Sequence, residues 1–358
     1  MGKIVVPDGG FREIAVLRLS SLGDVVLTLP VVHALASAWP SARLHYYVKE
    51  EYAGVLRADP AIVHVRALER DARKLEDLVS MSAELEDCDL IVDLHASART
   101  RVLTFRQRGA VLRVRQRRLQ RARWVRARWT GPRPLPHATV RYAETVAPLG
   151  VVAAGQPRVT VPPAAEAWAA EQLASLVGPV GASTASASSV ASIASASMVA
   201  LCPGARHATK RWPEDRWCAL DERLAAGGLA RIVLSTPAEQ RALPALAARI
   251  AADPRARWFT EPLERVAALL GHATVAVTHD SGLMHLAAAR GMRVVAIFGS
   301  TSPVLGFAPV GEGHAVLCRN LPCQPCTLHG REACPKRHFR CMTTIEPGEV
   351  WDRIQERL

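Results

Sequence analysis

The sequence predicts an α/β protein made of two doubly wound, parallel-sheet lobes facing a cleft. Three observations carry that expectation. Strand-like and helix-like segments alternate through residues 13–95 and again through 198–300, the pattern of parallel sheets with helices on both faces. A low-complexity Ala/Ser/Gly stretch, GPVGASTASASSVASIASASM (178–198), separates the two sets and has little to bury. At 358 residues the chain is too long for one compact core.

In the first set, EIAVLRL (13–19) reads as a short apolar strand and SSLGD (20–24) as a turn. VVLTLPVVHALASAW (25–39) has helical length and composition, with Pro30 confined to a first turn or a kink. ARLHYYV (42–48) alternates like a second strand. A short helix EEYAGVLRA, a strand IVHVRAL (62–68), a helix ARKLEDLVSMSAELE and the strand DLIVDLH (89–95) follow. In the second set MVALCPG (198–204) is a strand entering a turn. EDRWCALDERLAAGG is a helix with Gly227 and Gly228 at its end. Then come the strand ARIVLS (230–235), the helix AEQRALPALAARIAA, the strand ARWFT and the helix PLERVAALLGHA. TVAVTHD, the helix LMHLAAARG and the strand RVVAIFGS (293–300) complete it. The expected domains are therefore residues 1–177, a linker or insertion at 178–198, and residues 199–346. PGEVWDRIQERL (347–358) is expected as a closing helix that returns to the first lobe.

Charge and cysteine usage narrow the function classes. The formal net charge is +12, and residues 99–128 hold twelve arginines with no Lys, Asp or Glu. The basic character is thus one local patch suited to an acidic surface or substrate. Its Trp124 and Trp129 suit a membrane interface. A solvated basic face is the plainer reading, and no nucleic-acid module is recognisable. MGKIVVPDGG is not a signal peptide, and no apolar window spans a bilayer. A cytoplasmic protein is expected, with contact to the inner face of the cytoplasmic membrane through the patch. Four of the eight cysteines, Cys323, Cys326, Cys334 and Cys341, follow C-x2-C-x7-C-x6-C spacing. A structural Zn²⁺ held by the four, or by three with His329 or His338, stands beside reduced thiols and disulfides as readings.

Four loops follow strands, where open α/β sheets place their ligands. In LSSLGDVV (19–26) Asp24 sits near a helix start, either as a cap or as a carboxylate able to act as a general base. In CPGARHATKRWPEDRW (202–217) Lys210 precedes a helix N-terminus, where the dipole disfavours it unless an anion is present. In STPAEQ (235–240) Glu239 is an ordinary first-turn acid or an acceptor for sugar hydroxyls. In THDSGLMHLAAARG (278–291) Asp280, Ser281 and Gly282 open a helix whose free N–H groups suit a phosphate. His285 lies one turn further along the same face.

Together these motifs resemble glycosyltransferase family 9, the heptosyltransferase-like proteins with the GT-B fold of two Rossmann-like domains. The resemblance rests on RLSSLGDVVLTLPVVHAL, DLIVDLH, PGARHATKRWPEDRW and THDSGLMHLAAARGMRVVAIFGSTSP, in that order over residues 13–310. It implies an inverting glycosyltransferase that moves a sugar, typically heptose from ADP-heptose, to an acceptor of the lipopolysaccharide core or another cell-envelope glycan. The acceptor binds the first domain and the donor the second. It implies Asp24 as catalytic base, and Lys210 with Asp280, Ser281, Gly282 and His285 at the donor. Glu239 would contact the nucleoside, although Ser235-Thr236-Pro237 replaces the usual Gly-Gly-Pro turn. No cofactor is implied for catalysis. Arg99, Arg101, Arg117 and Arg118 are the expected contacts to an anionic glycolipid acceptor or membrane, and no nucleic-acid partner is expected. A nucleotide-sugar epimerase on a similar bilobal fold, or a non-catalytic binding protein for a nucleotide or an anionic glycan, are the alternatives.

Overall fold

The computed structural model describes residues 5–68, 75–105, 107–126, 135–176 and 197–358. The linker expected at 178–198 lies outside these except for its last two residues, and Met198 already begins a strand. The chain divides into two compact units, Met1–Arg118 with Pro136–Thr160, and Leu119–Leu135 with Val161–Leu358.

The first unit is built on a five-stranded, all-parallel sheet. Its strands are β1 (Glu13–Leu17), β2 (Arg43–Lys49), β3 (His64–Leu68), β4 (Leu90–Asp93) and β5 (Ala110–Arg113), in the order β3-β2-β1-β4-β5. β1 pairs with both β2 and β4, with Val16 opposite Tyr46 on one side and Val92 on the other. Ile14, Ala15, Val16 and Leu17 are all buried, as a central parallel strand requires. Pro30 sits in the first turn of Leu29–Ala38, and a break at Thr28 separates this helix from Leu22–Leu27. The missing proline N–H costs nothing there because it has no helical partner.

The second unit carries a six-stranded parallel sheet. Its strands are β6 (Met198–Cys202), β7 (Ala230–Leu234), β8 (Ala256–Phe259), β9 (Val275–His279), β10 (Arg293–Phe298) and β11 (Ala315–Cys318), in the order β11-β10-β9-β6-β7-β8. Every side chain of β6, β7 and β9 is buried, so these strands read as apolar runs rather than alternations. The stretch expected as one helix over 238–252 is two, Pro237–Arg241 and Pro244–Ala252, because Pro244 cannot continue the first. Trp212 and Trp217 meet edge to face at 5.3 Å in the core, and Trp212 Nε1 donates to the Ile345 carbonyl.

Two expectations of organisation are corrected. Helix Pro163–Ala174 precedes the expected boundary at 177 but belongs to the second unit. It lies on Leu263–Gly271, pairs Glu166 with Arg290, and holds Trp168 under the Arg265 guanidinium at 4.5 Å. Its small Ala165 and Ala169 permit that close approach. The closing helix, Pro347–Gln355, packs on Glu214–Ala226, with Val350 and Ile354 fully buried in the second unit's core rather than returned to the first lobe.

Candidate active site

In an open α/β sheet the loops on either side of a reversal in strand order splay apart and leave a crevice at the carboxyl ends. The reversal falls between β1 and β4 in the first unit and between β6 and β9 in the second. Both coincide with the motif loops.

At the first reversal, Asp24 is the third residue of helix Leu22–Leu27, so it is a first-turn acid and not the cap. Ser21 holds the cap position without a side-chain cap bond; its hydroxyl lies 3.3 Å from Asp24 Oδ2 instead. Arg18, at the end of β1, pairs with Oδ2 at 2.6 Å, and Tyr142 donates to Oδ1 at 2.6 Å. Arg18 is itself tied to the Leu94 carbonyl at 2.8 Å. Asp93, at the end of β4, is fully buried and takes the backbone N–H groups of His95 and Ala96 as well as Arg113. It therefore shapes the loop rather than facing a ligand. His95 stands over the Ser20 backbone, and burial together with Arg18 pushes its pKa down to about 4.

At the second reversal, Lys210 Nζ lies 2.7 Å from Asp280 Oδ2 and donates to the Asp280 carbonyl at 2.8 Å. An ammonium has three N–H donors, so two are directed at Asp280. Thr301, after β10, donates to Asp280 Oδ2 at 2.6 Å. Ser281 caps helix Gly282–Ala289 with extended backbone, and its buried Oγ has no hydrogen-bond partner among the described residues. His285 is buried one turn beyond. Lys210, Asp280 and Ser281 are thus brought together, and Thr301 joins them.

His279 secures this arrangement from below. Its Nε2 accepts from the Trp212 N–H at 2.8 Å, which leaves the proton on Nδ1 to donate to the Gly204 carbonyl at 3.4 Å. Full burial, with Lys210 and Arg211 nearby, pushes its pKa down to about 4. Both His279 and His95 fold neutral but protonate near 6.5 once unfolded. The unfolded chain then binds more protons between pH 6.5 and 4, so stability is complete above that window and falls as pH drops through it. Urea unfolding at pH 7, 6 and 5 should show a small loss between pH 7 and 6 and a loss approaching about 1.4 kcal/mol for each histidine between pH 6 and 5. A midpoint unchanged down to pH 5 would contradict their neutral burial.

Glu239 takes a local role. It completes a capping box with Thr236, accepting from the Thr236 N–H and hydroxyl, both at 2.9 Å. Its carboxylate also covers Gly204, where an added Cβ would fall 2.3 Å from Oε1. An added side chain there would have to push the Glu239 carboxylate aside, and the contact places Glu239 beside the Lys210 loop.

The cysteine tail braces the same loops. Gln324 Nε2 lies within hydrogen-bond reach of the Phe298, Gly299 and Thr301 carbonyls at 3.1, 2.6 and 3.1 Å. The Arg331 carbonyl accepts from the Thr209 N–H, the Arg331 N–H donates to Thr209 Oγ1, and Cys326 N–H donates to the Ser300 carbonyl. Cys323, Cys326, Cys334, Cys341 and His338 line one small cavity, and all eight cysteines are free. Among the described residues no three or more His, Cys, Asp or Glu side chains stand as a metal site, so the expected Zn²⁺ is not shown.

The arginine segment is less uniform than its composition. Arg99 and Arg101 lie on helix Ala98–Leu103, Arg101 exposed. Arg117 pairs with Glu144 at 3.2 Å, which accounts for its charge locally. Arg118 opens helix Arg118–Arg126, and Arg121 is buried against the Phe307 ring at 5.1 Å. No described helix is long and apolar enough to cross a membrane. Sequence reasoning missed Arg18, Tyr142, Thr301 and Gln324. Arg18 could have been found as the first charged residue after a buried strand, two positions before the SSLGD turn.

Comparisons with known proteins give the family and the fold. The family model described as glycosyltransferase family 9 (heptosyltransferase) matches residues 83–335. The chain is 27% identical to lipopolysaccharide heptosyltransferase 1 of Pseudomonas aeruginosa over 372 residues, covering 97% of this chain and 98% of that protein. Among solved structures, a glycosyl transferase family 9 protein from Veillonella parvula superposes with a TM-score of 0.74 at 19% identity, over 96% of each chain. An E. coli heptosyltransferase solved with ADP gives 0.66 at 20% identity, over 97% of this chain and all of that one. The fold is GT-B. With most of its length matched by the family model, the chain belongs to glycosyltransferase family 9, the heptosyltransferases, and is a glycosyltransferase.

Proposed function

We propose that this protein transfers a heptose from ADP-heptose to an acceptor of the lipopolysaccharide core, with inversion at the anomeric carbon. The observation that carries the reading is the content of the two strand-order reversals. One holds a carboxylate, Asp24, and the other holds Lys210, Asp280 and Ser281 at the start of a helix. Glycosyl transfer needs these two kinds of site, a base for the acceptor hydroxyl and a charge-stabilising cradle for the departing diphosphate.

In this mechanism Asp24 takes the proton of the acceptor hydroxyl as its oxygen attacks the anomeric carbon. The bond from that carbon to the diphosphate oxygen breaks, and ADP leaves with the electron pair. The third N–H of Lys210, the free N–H groups at Ser281 and Gly282, and the helix dipole receive the negative charge. Ser281 Oγ, buried without a partner, would gain one in a phosphate oxygen. The relatives' names supply the sugar and the acceptor class: the Pseudomonas protein is a lipopolysaccharide heptosyltransferase, and the E. coli structure contains ADP. Arg99 and Arg101 are proposed to contact the anionic acceptor at the inner face of the cytoplasmic membrane.

The test is a transfer assay with ADP-heptose and heptose-deficient lipopolysaccharide, read by mass spectrometry of the lipid product. One added heptose per acceptor is expected, with release of ADP. Selective thermal stabilisation by ADP-heptose over UDP-, GDP- and CMP-sugars should accompany it, about 2.7 kcal/mol at a hundredfold excess over Kd. Product formed equally well from another nucleotide sugar would refute the donor assignment.

A further inference from the structure

Asp24 is held more firmly than a first-turn acid needs to be. Arg18 and Ser21 fix Oδ2, at 2.6 and 3.3 Å, while Tyr142 fixes Oδ1 at 2.6 Å. These donors come from different parts of the chain: Arg18 from the end of β1, Tyr142 from helix Ala138–Val146, 118 residues further on. A carboxylate held at one oxygen can still turn about its Cβ–Cγ bond. One held at both presents its remaining lone pairs in a fixed plane.

We propose that Tyr142 is a positioning residue for the reaction, setting the plane and charge state of the Asp24 carboxylate. This rests on the reading of Asp24 as base. Tyr142 is 3% exposed, and burial keeps its phenol protonated, so it acts as a donor and takes no proton itself. The Arg18 guanidinium lies 5.7 Å from the centre of the Tyr142 ring, which couples the two halves of the clamp. Arg18 is in turn anchored to the Leu94 carbonyl at the end of β4. The clamp therefore spans the β1/β4 reversal and ties Asp24 to both of its walls.

Among the described residues, the charged and titratable groups around Asp24 include Arg18 just after β1, Tyr46 from β2, His95 after β4, and Arg141 and Tyr142 from helix Ala138–Val146. The tyrosines are buried and protonated, and His95 is neutral above about pH 4. Arg18 and Arg141 keep their charge at any pH used for assay. Loss of the Tyr142 hydroxyl thus changes one donor to the carboxylate without changing any formal charge.

The experiment is steady-state kinetics of Y142F across pH, alongside D24N. A donor hydrogen bond favours the ionised carboxylate, so the acid limb of kcat should move to higher pH in Y142F. The maximal kcat should fall about 10- to 100-fold, as expected when a reacting group is misplaced by about an ångström. KM for donor and acceptor should stay within about twofold. R18K keeps a cation beside Oδ2 but lacks the second arm that reaches Leu94, and should also lower kcat more than KM. Wild-type kcat with an unmoved acid limb in Y142F would overturn the proposal, as would a loss confined to KM. So would a Y142F chain that fails to fold, since the tyrosine would then be structural. Full activity in D24N would instead remove the base reading on which the proposal stands.

Discussion

Replacing Asp24 with asparagine is expected to lower kcat by about 10²- to 10⁴-fold, the range a positioned general base contributes. The acceptor hydroxyl is a weak nucleophile until its proton is accepted, and an amide cannot accept it at neutral pH. The substitution has a second consequence. Arg18 is 8% exposed and its ionic partner is Asp24. Removing that partner leaves a buried guanidinium uncompensated, which costs about 3–5 kcal/mol in comparable pairs. D24N should therefore melt earlier, and activity must be read on protein shown to be folded. D24E separates the two effects. It keeps an anion for Arg18 but carries the carboxylate one methylene out of the Tyr142 and Ser21 bonds, so stability should largely return while kcat stays low. Donor affinity should be unchanged in both, because Asp24 lies in the first unit and the proposed donor residues in the second. If D24N and D24E both transfer sugar within tenfold of the wild type, Asp24 is not the base.

Much of the architecture is legible in the chain because buried parallel strands leave a strong signal. EIAVLRL, ARLHYYV, MVALCPG and TVAVTHD each became β-structure within two residues of the expected ends. β5 and β11 escaped notice for a physical reason. Both are four-residue edge strands with mixed exposure, and β5 sits inside the arginine run, where composition conceals it. Helix Pro163–Ala174 was not read from the sequence, and its partner could not be, since an alanine face fits many neighbours. The site divides in the same way. Asp24, Lys210, Asp280 and Ser281 stand in loops where glycine, proline and a helix start constrain the chain, so local chemistry points to them. Tyr142 and Thr301 reach the site from distant segments, and only the folded sheet reveals them. Glu239 was visible as a first-turn acid, yet the capping box and its contact with Gly204 emerge only in three dimensions.

Lys210 is expected to give the second large effect. One preorganised donor at a site of developing negative charge contributes about 10²- to 10³-fold in kcat, and a charged donor in a partly buried site belongs at the upper end. K210M should lose that much and should also weaken stabilisation by ADP. Part of the damage will be structural, because Asp280 is 8% exposed and Lys210 is its cation. Among the described residues Thr301 alone then donates to this buried carboxylate. The double variant K210M/D280N distinguishes the two contributions. It removes both charges while keeping similar shapes, and replacing a buried pair this way is often neutral or stabilising. Thermal stability should therefore recover relative to K210M, while kcat remains at the K210M level or lower, because no cation faces the diphosphate. Recovery of activity together with stability in the double variant would mean that Lys210 serves only to neutralise Asp280. The leaving-group charge would then be carried by the helix N–H groups at Ser281 and Gly282 alone.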